Sequence, residues 1–342
     1  MLITYDGLFQ NSEISLRDVA LNFSPSGNIT RDMRLRSLAD FFTQIAPAGR
    51  NFSYPRTLYE IAIFFLPMKK PIYRSKLRLF AGIMYFTLRR YLYWYFSRIN
   101  FAKNFESHLP IEIFAHKTLL RRKLKDVDMW MQENKIANLK IAIKKLDGLV
   151  VRPGQTFSYW RQIGKPTRKK GYLEGMVLHN GTVIAGVGGG LCQLSNLLYW
   201  ITLHTPLTVI ERWRHGYDVF PDVKRDQPFG SGATCAYPNI DLQIKNNTSQ
   251  KFQLALEVTG EYLIGKWLSD KPIHFKYKIF DKDHEFKSEW FGGYSRNNKI
   301  FRKVIDKNTN NEVSEEFITE NHAMMMYNPL LEYKEEKNRD II

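Results

Sequence analysis

The sequence predicts an α+β fold, with N-terminal helices followed by a mostly antiparallel β-sheet domain that holds one buried helix. Three observations predict it. Apolar residues recur at helical spacing within 119–146, an unbroken apolar run at 191–203 follows a glycine cluster, and from residue 207 onward extended runs alternate with turn signals.

The first 67 residues show little periodicity and are broken by Pro25, Gly27, Pro47, Gly49 and Pro55, so they read as an N-terminal extension. Met68-Lys69-Lys70 reads as an alternative start. Residues 68–105 differ sharply. They carry nine basic residues (Lys69, Lys70, Arg74, Lys76, Arg78, Arg89, Arg90, Arg98, Lys103) and no acid, interleaved with aromatics from Tyr73 to Phe96. A helix there would be basic and amphipathic with an aromatic side, which suits either a membrane surface or packing on the main domain.

Within 119–146, Ile136, Leu139, Ile143 and Leu146 mark the apolar face, and Gly148 ends the helix. Residues 150–160 read as extended chain broken at Pro153-Gly154. Asn180-Gly181 between Val177-Leu178 and Val183-Ile184 predicts a hairpin with a type I′ turn. Beyond the helix at 191–203, strands are expected at 207–213, 240–245, 252–258 and 262–267, with Thr259-Gly260 turning between the last two. Short strands continue over 273–328, including a hairpin at 308–311. The domain reading is 1–67 extension, 68–130 basic aromatic helical region, 131–270 core domain and 271–342 β-rich extension.

Composition narrows the function classes. Of 342 residues 44% are hydrophobic and 25% charged, as in ordinary globular protein, and the net charge is +16. That charge implies anionic surroundings. No nucleic-acid motif accompanies it, so no nucleic acid is expected. Two cysteines exclude a disulfide framework and a Cys-rich zinc site, and neither a metal nor a cofactor is indicated. A single Cys192–Cys235 bridge is the one pairing open. Met1–Asp6 lacks a basic leader, and no run of apolar residues is long enough to span a membrane. The expected location is cytoplasmic or peripheral to a membrane, with an extracytoplasmic place left open.

The candidate site centres on Gly188-Gly189-Gly190-Leu191-Cys192-Gln193-Leu194-Ser195. Gly189 and Gly190 allow close backbone approach to a ligand. A thiol in the first helical turn sits at the positive end of the helix dipole, which favours thiolate. Unpaired amides of that turn would stabilise an oxyanion, with Gln193 as a side-chain donor and Ser195 beside it. Cys192 is thus the candidate nucleophile, and the plainer alternative is a packed small apolar residue. His215, in a loop after a predicted strand, is the candidate base, with Asp218 or Asp222 as its orienting group. Arg225 is a candidate clamp for a substrate carboxylate, or else an ion-pair partner of Asp222 or Asp226. Ser231 and Thr234 belong to a second small-residue loop, 228–234, placed at the same pocket.

These motifs resemble the VanW family, of the stand-alone type. The likeness rests on 188–195, on 211–222 with His215, on 228–234 followed by Asp241 and Asn246-Asn247, and on Arg152-Pro153-Gly154-Gln155-Thr156-Phe157-Ser158. It runs over about 68–325 and is densest at 130–260. The resemblance implies a role in glycopeptide resistance at the bacterial cell wall. It also implies an L,D-transpeptidase-like reaction in which Cys192 takes an acyl group from a peptidoglycan stem peptide, with His215 as base. The expected partners are then a peptidoglycan peptide or lipid-linked precursor, and a membrane surface through 68–105. Two departures stand out: Arg212-Trp213-Arg214 replaces a histidine-rich stretch, and Gly230-Ser231-Gly232-Ala233-Thr234 replaces an element with an aspartate.

Overall fold

The computed structural model describes residues 75–121, 128–179, 181–219, 227–290 and 292–328. The chain divides into two compact units, 1–83 and 84–342. Of the first, only 75–83 is described, where the helix α1 (Lys76–Phe96) begins. The expected extension at 1–67 lies outside the described residues.

The second unit is α+β. After α1 come β1 (Asn104–Phe105), β2 (Ile111–Leu119), α2 (Met129–Ile143), β3 (Leu149–Val151), β4 (Thr156–Ser158) and α3 (Tyr159–Ile163). A hairpin β5 (Glu174–His179) and β6 (Thr182–Val187) precedes α4 (Cys192–Leu203), β7 (Thr208–Glu211) and β8 (Tyr217–Asp218). Then follow β9 (Gln243–Lys245), β10 (Phe252–Val258), β11 (Tyr262–Ser269), β12 (Phe275–Ser288), β13 (Tyr294–Asp306) and β14 (Glu312–Met325).

An antiparallel sheet in the order β1-β3-β10-β11-β2 carries the main core, and β4-β9-β7 forms a small second sheet. The third sheet, β12-β13-β14-β8, is antiparallel except for its last pair. α4 is the buried helix that the sequence predicted: Leu194, Leu197, Leu198, Ile201 and Leu203 are all closed off from solvent. Its twelve residues contain no glycine or proline, so nothing interrupts the hydrogen-bond ladder. Gly265 of β11 lets Leu197 close in, since a Cβ there would lie 2.9 Å from its Cδ2. Thr202 is satisfied inside the core, donating to Leu198 O at 2.6 Å and accepting from Trp267 Nε1 at 3.0 Å. Each leucine buried this way stabilises the fold by about 1.5–3 kcal/mol.

Two expectations change. The stretch 119–146 is not one helix: residue 119 ends the strand β2, and the helix α2 begins only at Met129. β2 also interrupts the region 68–130 that was read as helical. Its pairing partner is β11, from Leu119 opposite Tyr262 to Ile111 opposite Ser269, a contact that local spacing cannot reveal. Likewise the strands after 273 are long rather than short. Bulges at Lys282/Glu285 and near Phe301 break their alternation, with Asp283 at φ 53° in the first.

Candidate functional site around Cys192 and Cys235

Cys192 opens α4 directly after the glycine loop. The glycines there serve packing. A Cβ on Gly189 would stand 2.1 Å from the carbonyl carbon of Gly175, and one on Gly190 would meet Lys135 Cγ at 2.2 Å. Gly188 and Gly190 also adopt φ of 78° and 87°, where L side chains are strained. Asn138 of α2 clamps this loop, donating to Gly189 O and Leu173 O at 3.0 Å each.

The loop 228–235 lies along the first turn of α4. Ser195 is fully buried, with its hydroxyl 2.6 Å from Ala233 O and 3.1 Å from Cys192 O. Asn196 Oδ1 accepts from Ala233 N at 2.8 Å. Cys192 Sγ donates to Cys235 O at 3.6 Å. Both cysteines are free. Burial pushes the Cys192 thiol up, against the lowering effect of that hydrogen bond. Cys235 is raised well above its ordinary value, by burial first and by Cys192 next. Desolvation therefore outweighs the hydrogen bond to Cys235 O, and the neutral thiol is favoured.

Three backbone amides of this turn, and the Gln193 side chain, have partners within the protein. Gln193 N donates to Gly190 O at 3.0 Å, Leu194 N to Leu191 O at 3.1 Å and Ser195 N to Leu191 O at 3.3 Å. The Gln193 side chain turns to β2, giving its amide protons to Leu119 O at 2.8 Å and Thr118 Oγ1 at 3.0 Å. Ser231 donates into its own loop, to Pro228 O at 2.6 Å.

His215 sits half-buried in the loop after β7. Burial, helped by the neighbouring Arg214 charge, lowers its pKa to about 4, so the imidazole is neutral at pH 7. Its loop touches the second one through Thr234 N, which donates to Trp213 O at 2.8 Å. The Cys192 thiol proton points to Cys235 O, and no hydrogen bond joins it to His215. Asp218 is buried and accepts from Tyr327 Oη at 2.9 Å, with Arg296 Nη1 at 3.5 Å. Asp222 and Arg225 lie outside the described residues.

A buried polar network went unread in the sequence. Asp241 has no exposed surface; its Oδ2 accepts from Ser158 Oγ at 2.5 Å and its Oδ1 from Trp160 N at 2.9 Å. Burial lifts its pKa to about 7, against those hydrogen bonds. Next to it Glu211 takes a bidentate pair from Arg90 of α1, at 2.8 and 2.6 Å, and Gln243 Nε2 bonds both carboxylates, at 2.8 Å to Glu211 and 3.4 Å to Asp241. The alternation Ile240-Asp241-Leu242-Gln243-Ile244 puts Asp241 and Gln243 on the solvent side of a half-buried strand, so local pattern gave no sign of their burial.

The polar clamp of 228–235 on a buried helix, with Asp241 beneath Ser158, coincides with the segments on which the resemblance rests. A family model described as "VanW like protein" matches residues 134–268, from α2 to β11. The Vancomycin B-type resistance protein VanW of Enterococcus faecalis (strain ATCC 700802 / V583) is 33% identical over 265 residues, covering 77% of this chain and 91% of that protein. The chain belongs to the VanW family. That family is linked to vancomycin resistance. The chain is also similar to the uncharacterized protein YoaR of Bacillus subtilis (strain 168), 32% identical over 145 residues, which are 42% of this chain and 46% of YoaR. No solved structure matches. The three-stranded run β12–β14 lies beyond the residues that the family model matches.

Proposed function

We propose that this VanW-family chain holds a cell-wall peptide, either a peptidoglycan stem peptide or its lipid-linked precursor, at the 228–235 loop and the first turn of α4, in the service of glycopeptide resistance. The observation that carries this reading is the convergence of two loops on one helix start. Ser195 and Asn196 fasten 228–235, and Thr234 fastens the loop of His215. The relative named for vancomycin B-type resistance supplies the setting. A binding role suits the neutral thiol and the occupied amides of the helix start.

The neutral His215 favours one second reading, cysteine acyl transfer. In that reading the Cys192 sulfur attacks the acyl carbon of a stem peptide as His215 takes the thiol proton. His215 returns that proton to the leaving amine, which leaves a thioester for the acceptor amine. It requires the thiol to turn from Cys235 O to His215 once substrate is bound.

Substituting Cys192 separates the two. With binding alone, Cys192→Ser keeps stem-peptide affinity and the resistance phenotype, and iodoacetamide labels both thiols slowly near neutral pH. Loss of phenotype in a folded Cys192→Ser protein, with rapid alkylation confined to Cys192, would overturn the binding reading in favour of acyl transfer.

A further inference from the structure

One face of α1 in the second unit is apolar and open to solvent. Met84, Tyr85, Leu88, Leu92, Tyr95 and Phe96 recur at spacings of three and four, with Leu88 59%, Tyr95 64% and Phe96 81% exposed. Tyr95 stacks at 6.2 Å on Tyr91 at the border of this face, where Tyr91 hydrogen-bonds Tyr237 and the Arg161 guanidinium lies 5.6 Å from the Tyr95 ring centre. The opposite face is the one docked on the domain, through buried Trp94 beside Tyr237 and through Arg90 on Glu211. Residues 84–96 make an outward strip about 20 Å long at the helical rise.

The charges flanking this strip are all of one sign. Arg89 is exposed one turn from Tyr85 and Leu92, and Arg98 and Lys103 are exposed just beyond the helix. No acidic residue occurs anywhere from 61 to 105. No helix among the described residues is long and apolar enough to cross a membrane, so an apolar strip of this kind has a lateral use open to it. A second protein copy would set Arg89 and Arg98 against their own like charges across a two-fold axis. An anionic phospholipid layer satisfies both features at once: acyl chains take the strip and lipid phosphates take the arginines.

We propose that α1 is an interfacial helix that seats the protein on an anionic phospholipid surface, lying in the plane of the headgroups with Leu88, Leu92, Tyr95 and Phe96 inserted. This does not depend on the chemistry at Cys192.

The test uses the full chain and sedimentation with vesicles of equal parts phosphatidylglycerol and phosphatidylcholine, against vesicles of phosphatidylcholine alone. The protein is expected to partition onto the anionic vesicles and to come off as salt rises. The exposed double substitution Leu88→Glu with Tyr95→Glu should lower partitioning by at least about tenfold while leaving the circular dichroism spectrum unchanged. Arg89→Gln with Arg98→Gln should lower it several-fold at low salt, the difference closing at high salt. Absence of partitioning onto anionic vesicles, or partitioning that the Leu88/Tyr95 variant keeps, would overturn the proposal. So would self-association that the same variant abolishes in a protein without vesicle affinity, since a second copy then covers the face.

Discussion

At the scale of single residues, Gly190 holds the entrance to α4 in place. Its φ of 87° excludes ordinary side chains, and any Cβ would overlap Lys135 Cγ at 2.2 Å. Lys135 cannot yield freely, because its buried ammonium is committed to Leu120 O and to Gln132 Oε1. Left-handed backbone strain and overpacking both act, so Gly190→Ala should cost about 2–4 kcal/mol in urea unfolding. A loss under 1 kcal/mol (about the cost of an ordinary surface change) would show that the loop relaxes around the methyl group. The position of Cys192 was legible because glycines, a thiol and an apolar run follow one another in the chain. Its ionisation was not, because the carbonyl that its thiol meets, that of Cys235, lies some forty residues later. The same holds for Gln193, whose partners Thr118 and Leu119 lie on β2.

Among elements, α1 is held to the domain by an ion pair. Arg90 gives two guanidinium protons to Glu211 and also bonds Asn239 O at 2.5 Å, while Glu211 accepts from Trp213 Nε1 at 3.0 Å. Both partners are mostly withdrawn from water, with side-chain exposures of 14% and 19%. Removing the carboxylate charge strands a desolvated guanidinium, which is costlier than losing an exposed pair. Glu211→Gln should therefore lower stability by about 2–4 kcal/mol. It should also speed amide exchange over 84–96 before the rest of the domain; uniform exchange across the domain would refute the tie. The sequence offered Arg90 as one of nine basic residues and gave no sign that it differs from Arg89, since the distinction depends on which side of the helix meets β7. Local chemistry sufficed for other elements. Asn180-Gly181 marked the hairpin of β5 and β6, and the breaker-free run marked α4. It failed for β2, where pairing with β11 alone decides between helix and strand.

For the whole molecule, three titratable groups among the described residues, two histidines and one aspartate, pull the response to acid in opposite directions. Burial lowers His204 and His215 from 6.5 to about 4, so each binds fewer protons when folded than when unfolded between those values. Their contribution to stability is present above about pH 6.5 and is lost as pH falls through that window. Asp241 is raised from 3.8 to about 7, so it binds more protons when folded. Its contribution is present at low pH and is lost as pH rises towards 7. Near pH 5 the two histidines therefore oppose one aspartate, a net uptake of roughly one proton on unfolding, worth about 1.4 kcal/mol per pH unit. Asp241→Asn removes the opposing group and keeps an amide oxygen for Trp160 N and Leu242 N, which both donate to Oδ1. The variant's stability should then fall more steeply than the parent's, by about 1 kcal/mol per pH unit, when urea midpoints are followed from pH 6.5 down to 4.5. Groups that both proteins share cancel in the comparison, leaving the difference in slope to Asp241 alone. Parallel profiles would mean that the carboxyl beneath Ser158 stays ionised in the folded protein, held by Arg90 through Glu211 and Gln243 rather than neutralised by burial.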